Sequence, residues 1–328
     1  MHVSVTVSAS AARIRALPAG RGNQLLVAAT VLLCLVLAGF VIADLISGWV
    51  PQGDEGIIAV KVHDVFSSHP PLQGQRSTSD LSTPGVFAHH PGPAQFYLLA
   101  LPYAMTGYLP AGLLIGCLLV QVACIVVAVR AAYRTGGLAG GWLVVAVFAL
   151  LIAGFRSYLV EPWNFYFPLL GLVTVIVLAW RLAVGHSDAL IAYVAFASLW
   201  AQPHIALLPP ILCITVFVAV IGLWQWGLRH DAMWPLSAIH PLHRPAWWRR
   251  RGTIAVAVAA LCWAPVIAEA VSFQPNNLLE MWHVVVGAGS GSTDTAVRPA
   301  GTPWVSGRPP NPWARWSCRG AGRQRTWW

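Results

Sequence analysis

Seven apolar runs divide most of the chain, at about 25–46, 111–129, 138–155, 165–182, 189–200, 205–226 and 253–271, each bounded by polar or proline-bearing junctions. An α-helix needs about 20 apolar residues to cross the hydrocarbon core of a bilayer. The pattern therefore predicts an all-α polytopic membrane protein with about seven transmembrane helices. The first run follows Arg13, Arg15 and Arg21, yet it is longer than the roughly 7–15 residues of a cleavable signal core. It reads as a signal anchor with residues 1–22 in the cytoplasm. Two shorter elements lie between the first and second runs. Residues 55–66 place Ile57, Ile58, Val62, Val65 and Phe66 at mixed spacings of three and four, which predicts a short amphipathic helix on the membrane surface. Residues 94–108 are apolar but short and broken by Pro102, which predicts an interfacial or re-entrant helix.

Charge then orients the bundle. With residues 94–108 not crossing, Arg130 and Arg134 fall on the cytoplasmic side, as does the basic loop 229–252 with Arg244, Arg249, Arg250 and Arg251. The opposite face collects the long loop 51–93 and the clusters Gly53-Asp54-Glu55, His89-His90-Pro91-Gly92-Pro93, Glu161-Pro162-Trp163-Asn164, Gln202-Pro203-His204 and Gln274-Pro275-Asn276-Asn277. A composition of 57% hydrophobic and 9% charged residues excludes an ordinary soluble domain. The formal charge of +9 resides in short loops and the tail rather than on one helix face. That argues for membrane orientation and against nucleic acid as a partner. Cys34, Cys117, Cys124, Cys213 and Cys262 sit in apolar runs and only Cys318 in a polar stretch, with no disulfide framework or metal-ligand spacing.

The outer clusters carry the candidate chemistry. Asp54 and Glu55 directly follow the first span. A carboxylate in a partly desolvated cleft has its pKa raised toward a value useful for general-base work. The alternative is that Asp54 caps the surface helix, since Asp is a favoured N-cap. His89 and His90 have the chemistry to bind phosphate, orient an acceptor or shuttle a proton; Pro91 and Pro93 equally suit a rigid turn that opens a helix. Arg156 offers a planar fork for a phosphate. Glu161 and Asn164 open the next run, and an Arg156–Glu161 ion pair that fixes the loop is the competing reading. Tyr158, Trp163 and Tyr166 suit stacking on a sugar ring or the interfacial aromatic belt. Gln202 and His204 fall between two apolar runs, where a tight outer turn exposes them toward an acceptor. Asp54, Glu55, His63 and Asp64 match no established cation-binding loop, so no metal or other cofactor is expected.

A first span followed at once by Gly53-Asp54-Glu55, a long outer loop with a surface helix, and His90-Pro91-Gly92-Pro93-Ala94-Gln95-Phe96 opening a short apolar helix together resemble the GT-C glycosyltransferases. Within them the chain is similar to the protein mannosyltransferase and aminoarabinose transferase branch, and to actinobacterial multi-pass membrane proteins of that type. The resemblance covers roughly residues 23–277. It implies a polyprenyl-phosphate sugar donor, a cell-envelope glycan or protein acceptor, and an active-site face outside the plasma membrane. It also implies Asp54, with Glu55 beside it, as the catalytic carboxylate, and a second acidic residue near Glu161. His89, His90, Arg156, Asn164 and His204 would then contact donor phosphate or substrate.

Residues 278–328 are expected to form an irregular extracytoplasmic tail. From Ser292 onward Asp294 is the one acidic residue against six Arg, and five Trp lie among Gly and Pro without helical or strand periodicity. Such a composition is what GC-rich DNA encodes out of frame, so a frameshift near Thr293 is expected, to be tested by sequencing the locus. Two other functions stay open: a multi-pass transporter or lipid-binding protein without catalysis, for which Asp44 and Glu269 would be the intramembrane charges, and an inactive fragment of such an enzyme.

Overall fold

The computed structural model describes residues 19–78, 87–230 and 245–289. The basic loop between 230 and 245 and everything after 289 lie outside the described residues, so the expected frameshifted tail does too. Nine α-helices occupy the described residues: α1 (Ala19–Ile46), α2 (Asp54–Asp64), α3 (Ala94–Met105), α4 (Pro110–Phe155), α5 (Leu169–Ala183), α6 (Leu190–Trp200), α7 (Leu208–His230), α8 (Pro245–Ser272) and α9 (Asn277–Gly289). Among these residues there is no strand, only an isolated antiparallel bridge between Arg76 and His89. Four stretches are long and apolar enough to cross a membrane: Gly20–Ile46, Pro110–Leu159, Ile205–Gln225 and Arg250–Ser272. Their outward surfaces are apolar, as at Phe217 and Leu223, 58% and 67% exposed on α7. In water such surface would be costly, whereas lipid covers it.

The helix α4 is a hairpin. Gly136 and Gly137 leave helical geometry, and Gly137 has φ 63° and ψ −152°, a region essentially closed to residues with a Cβ. Gln121 in the first arm donates to the Leu159 carbonyl beyond the second arm at 2.9 Å. A straight helix would hold residues 121 and 159, 38 apart, about 57 Å from one another. The two arms thus match the apolar runs 111–129 and 138–155. The short helices α5 and α6, of 15 and 11 residues, fall below the length that crosses a bilayer unaided.

The core is built around α4, which packs against α1, α3 and α5; α6 lies on α5 and α8, and α2 lies on α3. Leu37, Leu114, Ile125, Phe148 and Leu170 are fully buried at its centre. The surface helix predicted at 55–66 forms as α2, burying Ile58, Ala59 and Val62 against Phe96 and Leu99 of α3. One prediction about the chain's end needs correction: residues 278–289 belong to α9 and are helical rather than irregular. Asn277 at its start and Met281 one turn later are buried, which gives the helix a face to pack.

The two ends of the bundle differ in chemistry. At one end Arg181 of α5 holds Asp188 through two contacts of 3.0 and 2.8 Å and the Thr135 hydroxyl at 3.1 Å, while Arg251 reaches Ser187 at 3.4 Å. The other end carries Glu55, Glu161, His89, His90 and His204.

Candidate functional site

The loop between α4 and α5 brings Glu161 to α2. It is held from inside: the Gln121 side-chain amide donates to the carbonyls of Leu159 and Phe167 at 2.9 and 2.8 Å, and Gln95 of α3 donates to the Pro162 carbonyl. Gln121 is wholly buried, so these bonds have no water to replace them. Gln121→Leu should cost about 1–2 kcal/mol, since two buried carbonyls lose their donor, and should loosen the loop that carries Glu161. A lowered melting temperature in detergent micelles with faster backbone amide exchange at 159–167 checks this.

Glu55 and Glu161 meet as a carboxyl pair. Both are half-buried, and their side chains hydrogen-bond one another. Burial pushes Glu55 up to about 7, reinforced by the charge of Glu161, by their mutual hydrogen bond and by Asp44 near the end of α1; a backbone hydrogen bond at Gln52 opposes this. Glu161 is also raised by burial and by Asp44, while the Ser157 hydroxyl and Glu55 stabilise its charged form. Two carboxyls in one desolvated site cannot both ionise easily, so they share a proton. Glu55 is the member pushed toward neutrality. Such a pair has one ionisation near neutrality, the property of a general base.

The structure separates the two residues that the chain offers together after its first span. Asp54 is exposed at the first turn of α2, while Glu55 turns inward. Asp54 does not cap the helix either, because Gly53 occupies the N-cap and no side chain bonds there. Arg156 is exposed at the foot of α4 with φ 52°. Among the described residues it forms no ion pair with Glu161, whose partners are Ser157 and Glu55. Asn164 is buried within the same loop.

The stretch of chain that carries Glu161 also carries an aromatic group. Tyr166 lies at its centre, with ring centroids 5.2 Å from Tyr158, 5.0 Å from Trp163, 5.1 Å from Phe165 and 5.4 Å from Phe155. Tyr158 and Phe165 are about half exposed. Phe165 in turn meets the His204 ring edge-on at 5.5 Å.

His90 is a hub as much as a reactive group. Its backbone N–H donates to the Gln75 carbonyl at 2.8 Å, and its carbonyl accepts from Gly74 at 3.3 Å and from the Asn277 amide at 3.2 Å. Its ring Nδ1 accepts from Ile205 N at 3.3 Å, and the ring lies 4.4 Å from that of His204. Burial, then the neighbouring His204 and His89, push His90 down to about 3. Burial also lowers His204, and lowers His89 with help from Lys61 and Arg76. These imidazoles are neutral at physiological pH. With Nδ1 occupied, His90 keeps Nε2 as a donor and brings no positive charge to a phosphate.

The expected exposure of Gln202 needs correction. Gln202 is 0% exposed: its Oε1 accepts from Ala94 N at 3.2 Å, and its Nε2 donates to the Ser198 and Cys262 carbonyls at 3.0 and 2.9 Å. It therefore ties α3, α6 and α8 together, and only His204 of that cluster reaches the site. Two further polar residues, one of them in an outer cluster, were given no individual role in the sequence-based site. Asn277 joins His89 and His90 to Glu269, whose Oε1 accepts from Asn277 N at 2.9 Å and from Gln73 at 2.7 Å. Asp44 joins the carboxyl pair electrostatically. The available signal was its acidic character at the end of an otherwise uncharged run.

Among the described residues no group of three or more His, Cys, Asp or Glu side chains is placed to hold a metal ion. Compared with known proteins, the chain matches no family model, no curated protein and no solved structure.

Proposed function

We propose that this chain is a membrane glycosyltransferase of GT-C type, moving a sugar from a polyprenyl-phosphate donor to a cell-envelope acceptor at the extracytoplasmic face of the plasma membrane. The observation that carries the reading is the Glu55–Glu161 pair, a proton acceptor poised near neutrality at the polar end of an apolar bundle, on a loop that also carries half-exposed aromatic rings. In the proposed reaction the acceptor hydroxyl oxygen attacks the anomeric carbon of the donor sugar, and its proton passes to the Glu55 carboxylate. The bond from that carbon to the phosphate oxygen breaks, and polyprenyl phosphate leaves. Glu161 holds Glu55 basic, and Arg156, exposed on the same loop, is a cation available to the leaving phosphate. Tyr158 and Phe165 supply surfaces on which a sugar ring stacks.

The test is transfer of radiolabelled sugar from a panel of polyprenyl-phosphate donors in membranes carrying the chain, followed as a function of pH. Glu55 must be charged to act, so the rate should rise with pH through about 7 and level off above it. Removing the charge of its partner in Glu161→Gln lowers the Glu55 ionisation, so the inflection should move to lower pH. Absence of transfer from every donor overturns the reading.

A second reading, transport without catalysis, is favoured by Glu269. It is 1% exposed in α8, with Oε2 lacking a hydrogen-bond partner among the described residues, and buried intramembrane carboxyls mark ion and proton pathways. Accumulation of label inside vesicles without product formation would move the assignment there.

A further inference from the structure

At the end of the bundle remote from the carboxyl pair, α1 and the first arm of α4 leave a cavity of about 420 Å³ between them. Two helical faces form its walls. Leu26, Val27 and Val31 come from α1 and Val126 and Val129 from α4, at the three- and four-residue spacings that align side chains on one face. Val27, Val31 and Val126 remain 62%, 49% and 46% exposed, so protein does not close this wall among the described residues. Thr30 lies among these apolar residues with its hydroxyl donating to the Leu26 carbonyl at 2.8 Å, and Asn23, Arg130 and Tyr133 complete the lining at one mouth. Arg130 is exposed and has no ion-pair partner among the described residues. The nearby acid, Asp188, is already engaged by Arg181 at 2.8 Å and by Arg134 at 4.0 Å.

We infer that this cavity binds one anionic phospholipid from the leaflet at the basic end, its acyl chain between the valines and its phosphate on Arg130. An open apolar wall in a helix of membrane-crossing length takes a hydrocarbon chain, and an uncompensated guanidinium at its mouth takes an anionic headgroup through paired N–H···O bonds. Tyr133 and Asn23 add polar groups at the same level. The occupant is not the proposed sugar donor. Asn23 and Asp44 are 21 residues apart on one helix, about 31 Å at 1.5 Å per residue, so a phosphate on Arg130 is a membrane thickness away from Glu55. The site stands independently of the catalytic reading.

Native mass spectrometry of the full chain, released from detergent micelles doped with phosphatidylglycerol or phosphatidylcholine, tests the assignment. The expected result is one retained phosphatidylglycerol and little phosphatidylcholine. Arg130→Gln should weaken retention by on the order of tenfold, the loss of a charge-assisted contact, with Arg130→Lys intermediate. Val27→Trp should abolish retention by filling the hydrocarbon groove while leaving the arginine in place. Equal retention of phosphatidylcholine, unchanged retention in both Arg130→Gln and Val27→Trp, or displacement by polyprenyl phosphate at equal mole fraction would each overturn it. Displacement of the lipid by inorganic phosphate would do so as well, since that marks a bare anion site.

Discussion

Glu55→Gln is expected to lower sugar transfer by about 10²–10⁴-fold, the usual contribution of a positioned general base, with little change in donor binding. The amide keeps the size of the side chain and its capacity to donate to Glu161, so the loop stays in place and only the proton acceptor is lost. Asp54→Asn, one residue away, should stay near wild type, because Asp54 faces solvent at the first turn of α2. That pair of variants separates the two adjacent carboxylates. Equal loss in both would mean that both carboxylates take part, and loss in Asp54→Asn alone would assign the base to Asp54. Transfer measured in membranes under saturating donor gives the comparison, and a circular dichroism spectrum with a melt in detergent confirms that each variant is folded.

Gly171→Ala is expected to cost about 3 kcal/mol or more and to open the joint between α5 and α6. A Cβ at Gly171 would lie 0.6 Å from Trp200 Nε1 and 1.6 Å from its Cδ1, so the indole rests directly on the α5 backbone. Trp200 is buried and packs against Phe167 and Phe196, with ring centroids at 6.0 and 5.6 Å. One methyl group therefore displaces a whole indole, whose loss from a core costs about 3–5 kcal/mol, beyond the usual range for small overpacking changes. Because Gln202 lies two residues past Trp200 and ties α3 and α8 to α6, the shift should also reach the His90–His204 contact. A melting temperature well below wild type, with increased protease sensitivity near residue 200, is the readout. Stability equal to wild type would show that the indole has another place to go.

The helices were legible along the chain because bilayer thickness and helical rise tie apolar run length to structure before any contact forms. The surface helix at α2 was legible for the same reason, since its apolar spacing is local. The chain also displayed Glu55 and Glu161 as outer-face acids, but not that they meet. Their partnership depends on Gln121 and Gln95 holding the Leu159–Phe167 loop against α2, and on the sharp return at Gly136–Gly137. Those are long-range bonds between residues that carry no periodic signal. Gln202 was misread as exposed for a related reason. A polar residue between two apolar runs suggests a wet turn, yet here its three side-chain bonds satisfy it inside the protein.

The sequence by itself determined the helical class, the apolar runs and the concentration of most Arg at one end and most acids and histidines at the other, because these follow from local hydropathy and charge. Only the tertiary structure decided which carboxylate turns inward, which histidines are buried and neutral, and that Arg130 has no acidic partner among the described residues. Burial and pairing set those ionisation states, and the decisive contacts join residues far apart in the chain, as between Glu55 and Glu161 or His90 and His204.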